Sequence, residues 1–589
     1  MVIDLKRLTI AAVLMLLLGA LLAHFTQTAG GTVEIQDLRF AGVTSGKMLS
    51  AHLYIPKEVT RDRPVPAIVA IHGYINSRET QAGFAIEFAR RGFVVLALDQ
   101  TGHGYSAPPA FAEGFGGPDA LSYLYTLDLV DDERIGLEGH SMGGWASLAT
   151  AAAHEGDYEA IVLVGSSTGS FGTAEGTATF PRNLALIFSR WDEFSGLMWG
   201  AEIPSEIVTT DKLRTLFATG SAVQVGRLYG SVEEGTARKL YMPAVTHPGD
   251  HLSREAIGNA VEWFQLTLEH GTQLPPEDQI WYWKELGTLL CFTGLVMLIF
   301  PLGGWLLSLP LFKELKEPMP EIIADRGWRW WMTALVSIAI PVLTFFKLQE
   351  LGNQLIPANR FWPQNITTGI MAWALGSGLI SLLLCLVWHF ASKRRHTANG
   401  DHYGLTWERN FSARKIGKSA LLALIVVSVL YQVLMLAGWL FNIDFRFWVV
   451  ALKLMSVLHL RIFLAYLIPF TLAFLIAGVA LNTQLRLTDR QGGDVTSRKA
   501  MVINALLLCI GFVFLLIVQY VPLLLGGTLA IPGQPLLTIV AIQFVPLLAI
   551  TALVSTYFYR HTGHAYVGAF CNGLFITWYI VAGQATHVA

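Results

Sequence analysis

The stretch Arg134-Ile135-Gly136-Leu137-Glu138-Gly139-His140-Ser141-Met142-Gly143-Gly144 decides how this chain is read. The run Arg134 to Glu138 leads into Gly139-His140-Ser141-Met142-Gly143, and a small-residue stretch, Gly144 to Ala153, follows. Strand, G-x-S-x-G, helix is the setting of a nucleophile elbow. The turn is sharp, and glycines two before and two after the serine let backbones pass where a Cβ would clash. The Ser141 hydroxyl is then held above a sheet edge, beside a helix N-terminus with free N–H groups.

Working outward, the chain is too long, at 589 residues, for one ordinary domain. It is 53% hydrophobic and 14% charged, where soluble domains run near a quarter charged. The deficit is uneven. Up to about Pro276 the sequence reads as an ordinary globular domain after one apolar segment. Beyond it, apolar runs of about 20 residues dominate, the length that spans a bilayer. The expected division is an N-terminal membrane anchor over 1–25, an α/β domain over 26–276 and a polytopic region of about eight helices over 277–589. The formal net charge of -2 and the lack of a basic run argue against a nucleic-acid partner. Cys291, Cys385, Cys509 and Cys571 all fall inside expected spans. The globular part therefore has no disulfide, no cysteine nucleophile and no cysteine metal site.

Leu8 to Phe25 is uncharged and follows Lys6-Arg7, which reads as an uncleaved anchor with a cytoplasmic N-terminus. Strands and helices then alternate. Thr32–Phe40 and Lys47–Pro56 read as antiparallel strands, Pro66–Gly73 as a buried central strand, and Arg78–Arg91 as an amphipathic helix. Phe93–Asp99 is a strand and Pro118–Leu129 a helix. Strands at Ala160–Gly165, Leu184–Ser189 and Lys239–Thr246 follow, and Ser253 caps a helix over Arg254–Glu269. Such alternation implies a doubly wound, mainly parallel sheet covered on both faces.

Spans are expected near 286–308, 330–348, 368–390, 418–440, 459–481, 501–525, 536–558 and 566–583, nine in all with the anchor. Basic residues gather in alternate loops: Lys313, Lys316, Arg326 and Arg329; Lys393, Arg394 and Arg395; Arg409, Arg414, Lys415 and Lys418; Arg486, Arg490, Arg498 and Lys499. By the positive-inside rule the α/β domain and the C-terminus lie outside a cell membrane. Residues 443–458, with Arg446 and Lys453 seven apart, read as a helix lying in the outer interface. The other reading is a long tilted span whose cations snorkel. The repeated Gln519-Tyr520-Val521-Pro522 and Gln543-Phe544-Val545-Pro546 place two glutamines at similar depth. They read as helix–helix glue or as a polar pocket that admits a lipid-like substrate.

Ile71-His72-Gly73-Tyr74, Leu98-Asp99-Gln100-Thr101-Gly102-His103-Gly104 and the elbow together resemble the α/β-hydrolase superfamily, nearest its dienelactone-hydrolase and serine-peptidase-like branches. The resemblance covers about residues 32–272 and none of the helical half. It implies a chain order of serine, acid, histidine, with Ser141 as nucleophile and the backbone N–H groups of Tyr74 and Met142 as oxyanion donors. Asp192 stands where relatives carry the acid of a Gly-x-x-Asp, with Ser189 in place of that glycine. Glu193 is the alternative acid. In Thr246-His247-Pro248-Gly249-Asp250-His251 the favoured base is His247, which directly follows the last strand, and His251 is the alternative. They are not read as a metal pair, because Pro248-Gly249 breaks the helix that H-x-x-x-H needs to converge on zinc. No cofactor is expected. His72, His103, His140 and Asp99 read as groups that pin the sheet-edge loops. Thr168–Thr179 and Gly196–Glu234 are expected to form the substrate pocket.

The expected function is a membrane-anchored serine hydrolase that acts on an ester, thioester or amide through an acyl-enzyme. Its partners would be an acyl substrate and membrane lipid. The alternatives are an acyltransferase with the same triad and a ligand-binding or transport protein with a non-catalytic fold.

Overall fold

The computed structural model describes residues 4–324, 327–391, 398–489 and 491–588. Of the basic residues used above, Arg326, Lys393, Arg394, Arg395 and Arg490 lie outside the described residues.

Helix α1 (Leu5–Gln27) precedes a sheet built from β1 (Val33–Ala41), β2 (Met48–Pro56), β3 (Val65–Ile71), β4 (Val94–Asp99), β5 (Val130–His140), β6 (Ala160–Val164), β7 (Leu184–Ile187), β8 (Leu228–Tyr229) and β9 (Arg238–Tyr241). The order is β1-β2-β4-β3-β5-β6-β7-β9-β8. Pairing is parallel from β4 through β9 and antiparallel at both edges. Residues 94–99 and 160–164 are buried along their whole length, which is why these strands read as continuous apolar runs. Helices α2 (Ala82–Ala89), α3 (Gly117–Leu124), α4 (Met142–Ala153), α5 (Ser195–Trp199), α6 (Asp211–Leu216) and α7 (Arg254–Thr267) complete this part. The Ser253 hydroxyl caps α7 by accepting from Ala256 N–H at 3.0 Å. The helix expected from Arg78 starts as a 3-10 turn and becomes α-helical only at Ala82. Strand β8 was not expected.

The second half holds α8 (Tyr282–Leu306), α9 (Trp328–Leu343), α10 (Phe345–Leu355), α11 (Asn365–Ala391), α12 (Ala413–Phe441), α13 (Val457–Asn482), α14 (Ser497–Gly526), α15 (Pro535–Thr562) and α16 (Tyr566–Gly583). Among the described residues, 8 helices are long and apolar enough to cross a membrane, α1 included. The span expected at 330–348 is instead a broken pair, α9 and α10, bent by 47°. Pro341 lies inside α9, in the last turn before the break. The Pro341 carbonyl accepts from Trp373 Nε1–H at 2.7 Å. Counted as one crossing, the pair makes nine. Connectivity favours that count, since the ends of α10, α11 and α15 that flank the 355–365 and 526–535 turns face the α/β domain across a shared cavity.

Helix α1 packs along α8 through small residues. A Cβ on Gly19 would lie 2.5 Å from Gly287 O, and one on Gly287 would lie 2.6 Å from Gly19 O, so the two backbones touch.

Residues 443–458 form no interfacial helix. They make a hairpin, β10 (Phe445–Phe447) and β11 (Val450–Leu452), ahead of α13. The two cations neither lie on a helix face nor snorkel. Lys453 Nζ is 3.0 Å from Glu79 Oε2. Arg446 pairs with Asp444 at 2.5 Å, stands 3.6 Å from Glu79, and donates to Thr80 Oγ1 at 2.7 Å. All three side chains of the Glu79 cluster are buried. Removing one partner of a buried ion pair leaves an uncompensated charge, typically about 3–5 kcal/mol. Glu79→Ala is therefore expected to lower the melting temperature of the detergent-solubilised protein clearly. A midpoint within a degree of wild type would show that the cluster does not hold the two parts together.

Candidate active site

Ser141 sits between β5 and α4 with φ 56 and ψ -120. A non-glycine residue in that region costs about 1–3 kcal/mol and persists only where its surroundings enforce it. The enforcement is visible at the flanking glycines. A Cβ on Gly139 would lie 2.1 Å from Gly143 O, and one on Gly143 would lie 1.9 Å from Ile71 O. The turn thus closes backbone on backbone against β3.

His247 and Asp192 come together from the loops after β9 and β7. His247 Nδ1 is 2.8 Å from Asp192 Oδ2, and both side chains are buried. Asp192 Oδ1 also accepts from Phe194 N–H at 2.8 Å. Burial lowers the His247 imidazole to about 4, partly offset by Asp250, so at neutral pH the ring is neutral. Burial raises the Asp192 carboxyl to about 7, against the Phe194 amide, which favours the charged form. Ser141, Met142, Tyr74, His247 and His251 all line one cavity of about 560 Å³. Among the described residues, neither the Met142 nor the Tyr74 backbone N–H donates to a protein acceptor.

Among the described residues, His251 has no carboxylate partner, and both its ring nitrogens are buried without hydrogen bonds. It packs on the His140 ring, centroids 4.1 Å apart, and burial drives its pKa well down. Asp192, rather than Glu193, faces the His247 ring. Glu193 instead accepts from the His247 backbone N–H at 2.7 Å and from Tyr520 Oη–H, on α14, at 2.8 Å. Ser189 donates to Asp250 Oδ1 at 2.5 Å, and Asp250 lies 3.6 Å from His140. The other histidines hold loops. His72 Nδ1 meets Gly73 O at 2.7 Å, His103 Nδ1 meets Thr101 O at 3.0 Å, and His140 Nε2 meets His247 O at 3.1 Å. Asp99 takes the Arg78 and Tyr105 amides at 2.9 and 3.1 Å.

From the expected pocket stretches, Phe171, stacked on Trp145, and Leu197 and Met198 line the cavity. Trp199 does not; its Nε1–H donates to Ser166 O at 3.1 Å. Two contributions were not foreseen. The C-terminal tail enters the α/β domain: Thr586 N–H donates to Gly102 O, and Thr586 O accepts from Ala110 N–H, both at 2.8 Å. His587 Nε2 then lies 2.9 Å from Tyr74 Oη. The helical half also supplies cavity wall, including Trp448, Ile366, Leu536 and Gln543. No local pattern marks a tail more than 400 residues downstream as part of this site.

Residues 66–194 match the family model described as alpha/beta hydrolase fold. The "Putative esterase YitV" of Bacillus subtilis (strain 168) is 29% identical over 127 residues, 19% of this chain and 50% of that protein. The "Uncharacterized protein PA2218" of Pseudomonas aeruginosa is 35% identical over 129 residues, 20% of this chain and 33% of that protein. The solved "Bacterial Heroin Esterase" is 18% identical, with a TM-score of 0.30, over 43% of this chain and 88% of its own. The chain thus spans half or less of the length of these two curated relatives. The N-terminal part is an α/β-hydrolase-fold domain. It is fused to a helical region whose apolar helices are long enough to cross a membrane.

Gly143→Ala would put a methyl carbon 1.9 Å from the Ile71 carbonyl, inside a central strand. The expected outcome is loss of folded protein or a strongly lowered melting midpoint. A well-folded variant of wild-type midpoint would mean that the turn is looser than described.

Proposed function

We propose that this protein is a serine hydrolase which cleaves a carboxylic ester through an acyl-enzyme. The observation that carries the reading is the buried Asp192–His247 pair, 2.8 Å apart, in the cavity that Ser141 also lines. The resemblance to a putative esterase of Bacillus subtilis over 127 residues supports the same choice.

In this reading the Ser141 hydroxyl attacks the ester carbonyl carbon while His247 Nε2 takes its proton. Asp192 holds the Nδ1–H tautomer and stabilises the imidazolium that forms. The Met142 and Tyr74 amides receive the developing oxyanion. The imidazolium then protonates the departing alkoxide, which leaves as the alcohol. Water, activated by the same imidazole, releases the carboxylic acid and restores Ser141. Glu193 is a positioning residue, since it grips the His247 backbone rather than its ring. The protein acts at a membrane, with the hydrolase domain on the side opposite the basic loops.

A fluorophosphonate probe is expected to label the wild-type protein and not Ser141→Ala. His247→Ala should lose activity by at least about 10³-fold, the scale of losing a triad base. His251→Ala should lose far less. Undiminished labelling of Ser141→Ala would place the nucleophile elsewhere, and equal losses at both histidines would remove the assignment of the base.

The pH profile gives an independent check. A protonated imidazole cannot accept the serine proton, so activity falls as pH falls. With His247 near 4 and Asp192 near 7, kcat/KM is expected to decline between about pH 7 and pH 4. A rate that rose toward acid pH would contradict a histidine base.

A further inference from the structure

We infer that the substrate is a long-chain acyl ester drawn from the bilayer. Its tail lies in a second cavity, between the membrane helices, that meets the Ser141 cavity at Gln543. This inference rests on the assignment of Ser141 made above and adds the class of substrate.

The second cavity, of about 370 Å³, lies among α9, α11, α13, α15 and α16. Its walls include Ile370, Trp373, Phe470, Phe474, Val540 and Phe544, and nothing in the proposed chemistry uses it. It shares a seam with the Ser141 cavity. On α11, Ile366 lines the upper cavity and Ile370, one turn on, lines the lower. On α15, Ile539 lines the upper and Val540 the lower, while Gln543 lines both. Gln543 is thus a wall common to both spaces, which follow one another along α11 and α15.

The lower cavity also faces outward. Met332, Val336 and Leu384 line it and are 50%, 40% and 44% exposed. Apolar side chains exposed on transmembrane helices face lipid, so this rim opens sideways into hydrocarbon. Along α11 the lining runs from Ile370 to Cys385, about 22 Å at 1.5 Å per residue. One leaflet is about 15 Å deep, half of a ~30 Å core. The groove is long enough for one acyl tail of a leaflet lipid.

Polarity changes where an ester would sit. Gln543 Oε1 accepts from Tyr579 Oη–H at 2.7 Å at the junction. Glu350 and Asn353, on α10 just beyond the helix break, line the upper cavity, and Asn353 Oδ1 is sealed from solvent without a partner. The sequence along the groove is apolar cavity, polar belt, then Ser141. That is the order of tail, ester region and reacting carbonyl in a lipid. A lipid which enters from the side keeps its methylenes in apolar surroundings throughout and avoids the cost of crossing water. Hydrolysis would consume one water and give a fatty acid and an alcohol.

The full-length protein in lipid nanodiscs is assayed with p-nitrophenyl palmitate and p-nitrophenyl butyrate. Ala477→Trp and Ala374→Trp fill the lower cavity from α13 and α11. Fluorophosphonate labelling of Ser141 reports that each variant keeps a folded site. The palmitate-to-butyrate rate ratio is expected to fall at least tenfold in a labelled variant. A ratio within twofold of wild type overturns the tail route. A second measurement needs no cavity variant. Ser141→Ala protein is irradiated with a palmitoyl ester bearing a terminal diazirine. Adducts on cavity-lining peptides of α11, α13 or α15 are expected, and adducts confined to the α/β domain overturn the proposal. Failure of the Ser141 reading looks different: the wild-type protein would then show no Ser141-dependent turnover of either ester.

Discussion

Glu79 is the constraint on which the arrangement of this molecule depends. Its carboxylate belongs to the α/β domain, in the turn after β3, and is held against Lys453 and Arg446 of the hairpin before α13. Each of these charges costs several kcal/mol to take out of water, and only close, multiple pairing offsets that cost. Arg446 meets this condition with Asp444, Thr80 and Ser77 as well. Glu79 also accepts from the Ser77 hydroxyl at 2.6 Å. A network with such geometry defines one docking position. A slip of the domain across the helices would strand buried charges, so the cluster acts as a register device more than as a source of stability.

The site inherits that register. Nearly half of the residues that line the cavity around Ser141 come from the helical region, so its shape exists only in the docked arrangement. Three ties cross the boundary close to the chemistry. Tyr520 reaches Glu193, which grips the His247 backbone. Trp448 Nε1–H donates to Pro248 O at 2.5 Å, on the same loop. His587 meets Tyr74, whose amide is the proposed oxyanion donor. The loops that carry the proposed acid, base and oxyanion donor are therefore each braced by a residue from the helical half. This answers what the extra helices contribute. They supply part of the wall of the candidate site.

The elbow was legible because its cause is local. Gly139 and Gly143 are required by contacts within a dozen residues or with an adjacent strand, and the flanking periodicities announce strand and helix. The place of His247 directly after the last strand favoured it over His251 without deciding between them. Both follow the last strand in one loop, and only the fold shows which ring meets Asp192. The hairpin at 445–452 was misread because two cations seven apart suit a helix face, while the carboxylate that binds them lies more than 360 residues earlier. The twin glutamines had equal local context and have different places. Gln519 bridges Thr538 Oγ1 and the Ile531 amide as internal glue, and Gln543 stands between two cavities.

Sequence alone determined the α/β sheet, the strained serine turn and the apolar helices, because steric exclusion at glycine, strand and helix periodicity and span length are properties of neighbouring residues. Tertiary structure alone decided the partner of each buried charge, the bend between α9 and α10, the seat of the C-terminal tail and the place of Gln543 between two cavities. Those depend on surfaces far apart in the chain meeting in one register, and the cost of burying an unpaired charge or polar group selects that register.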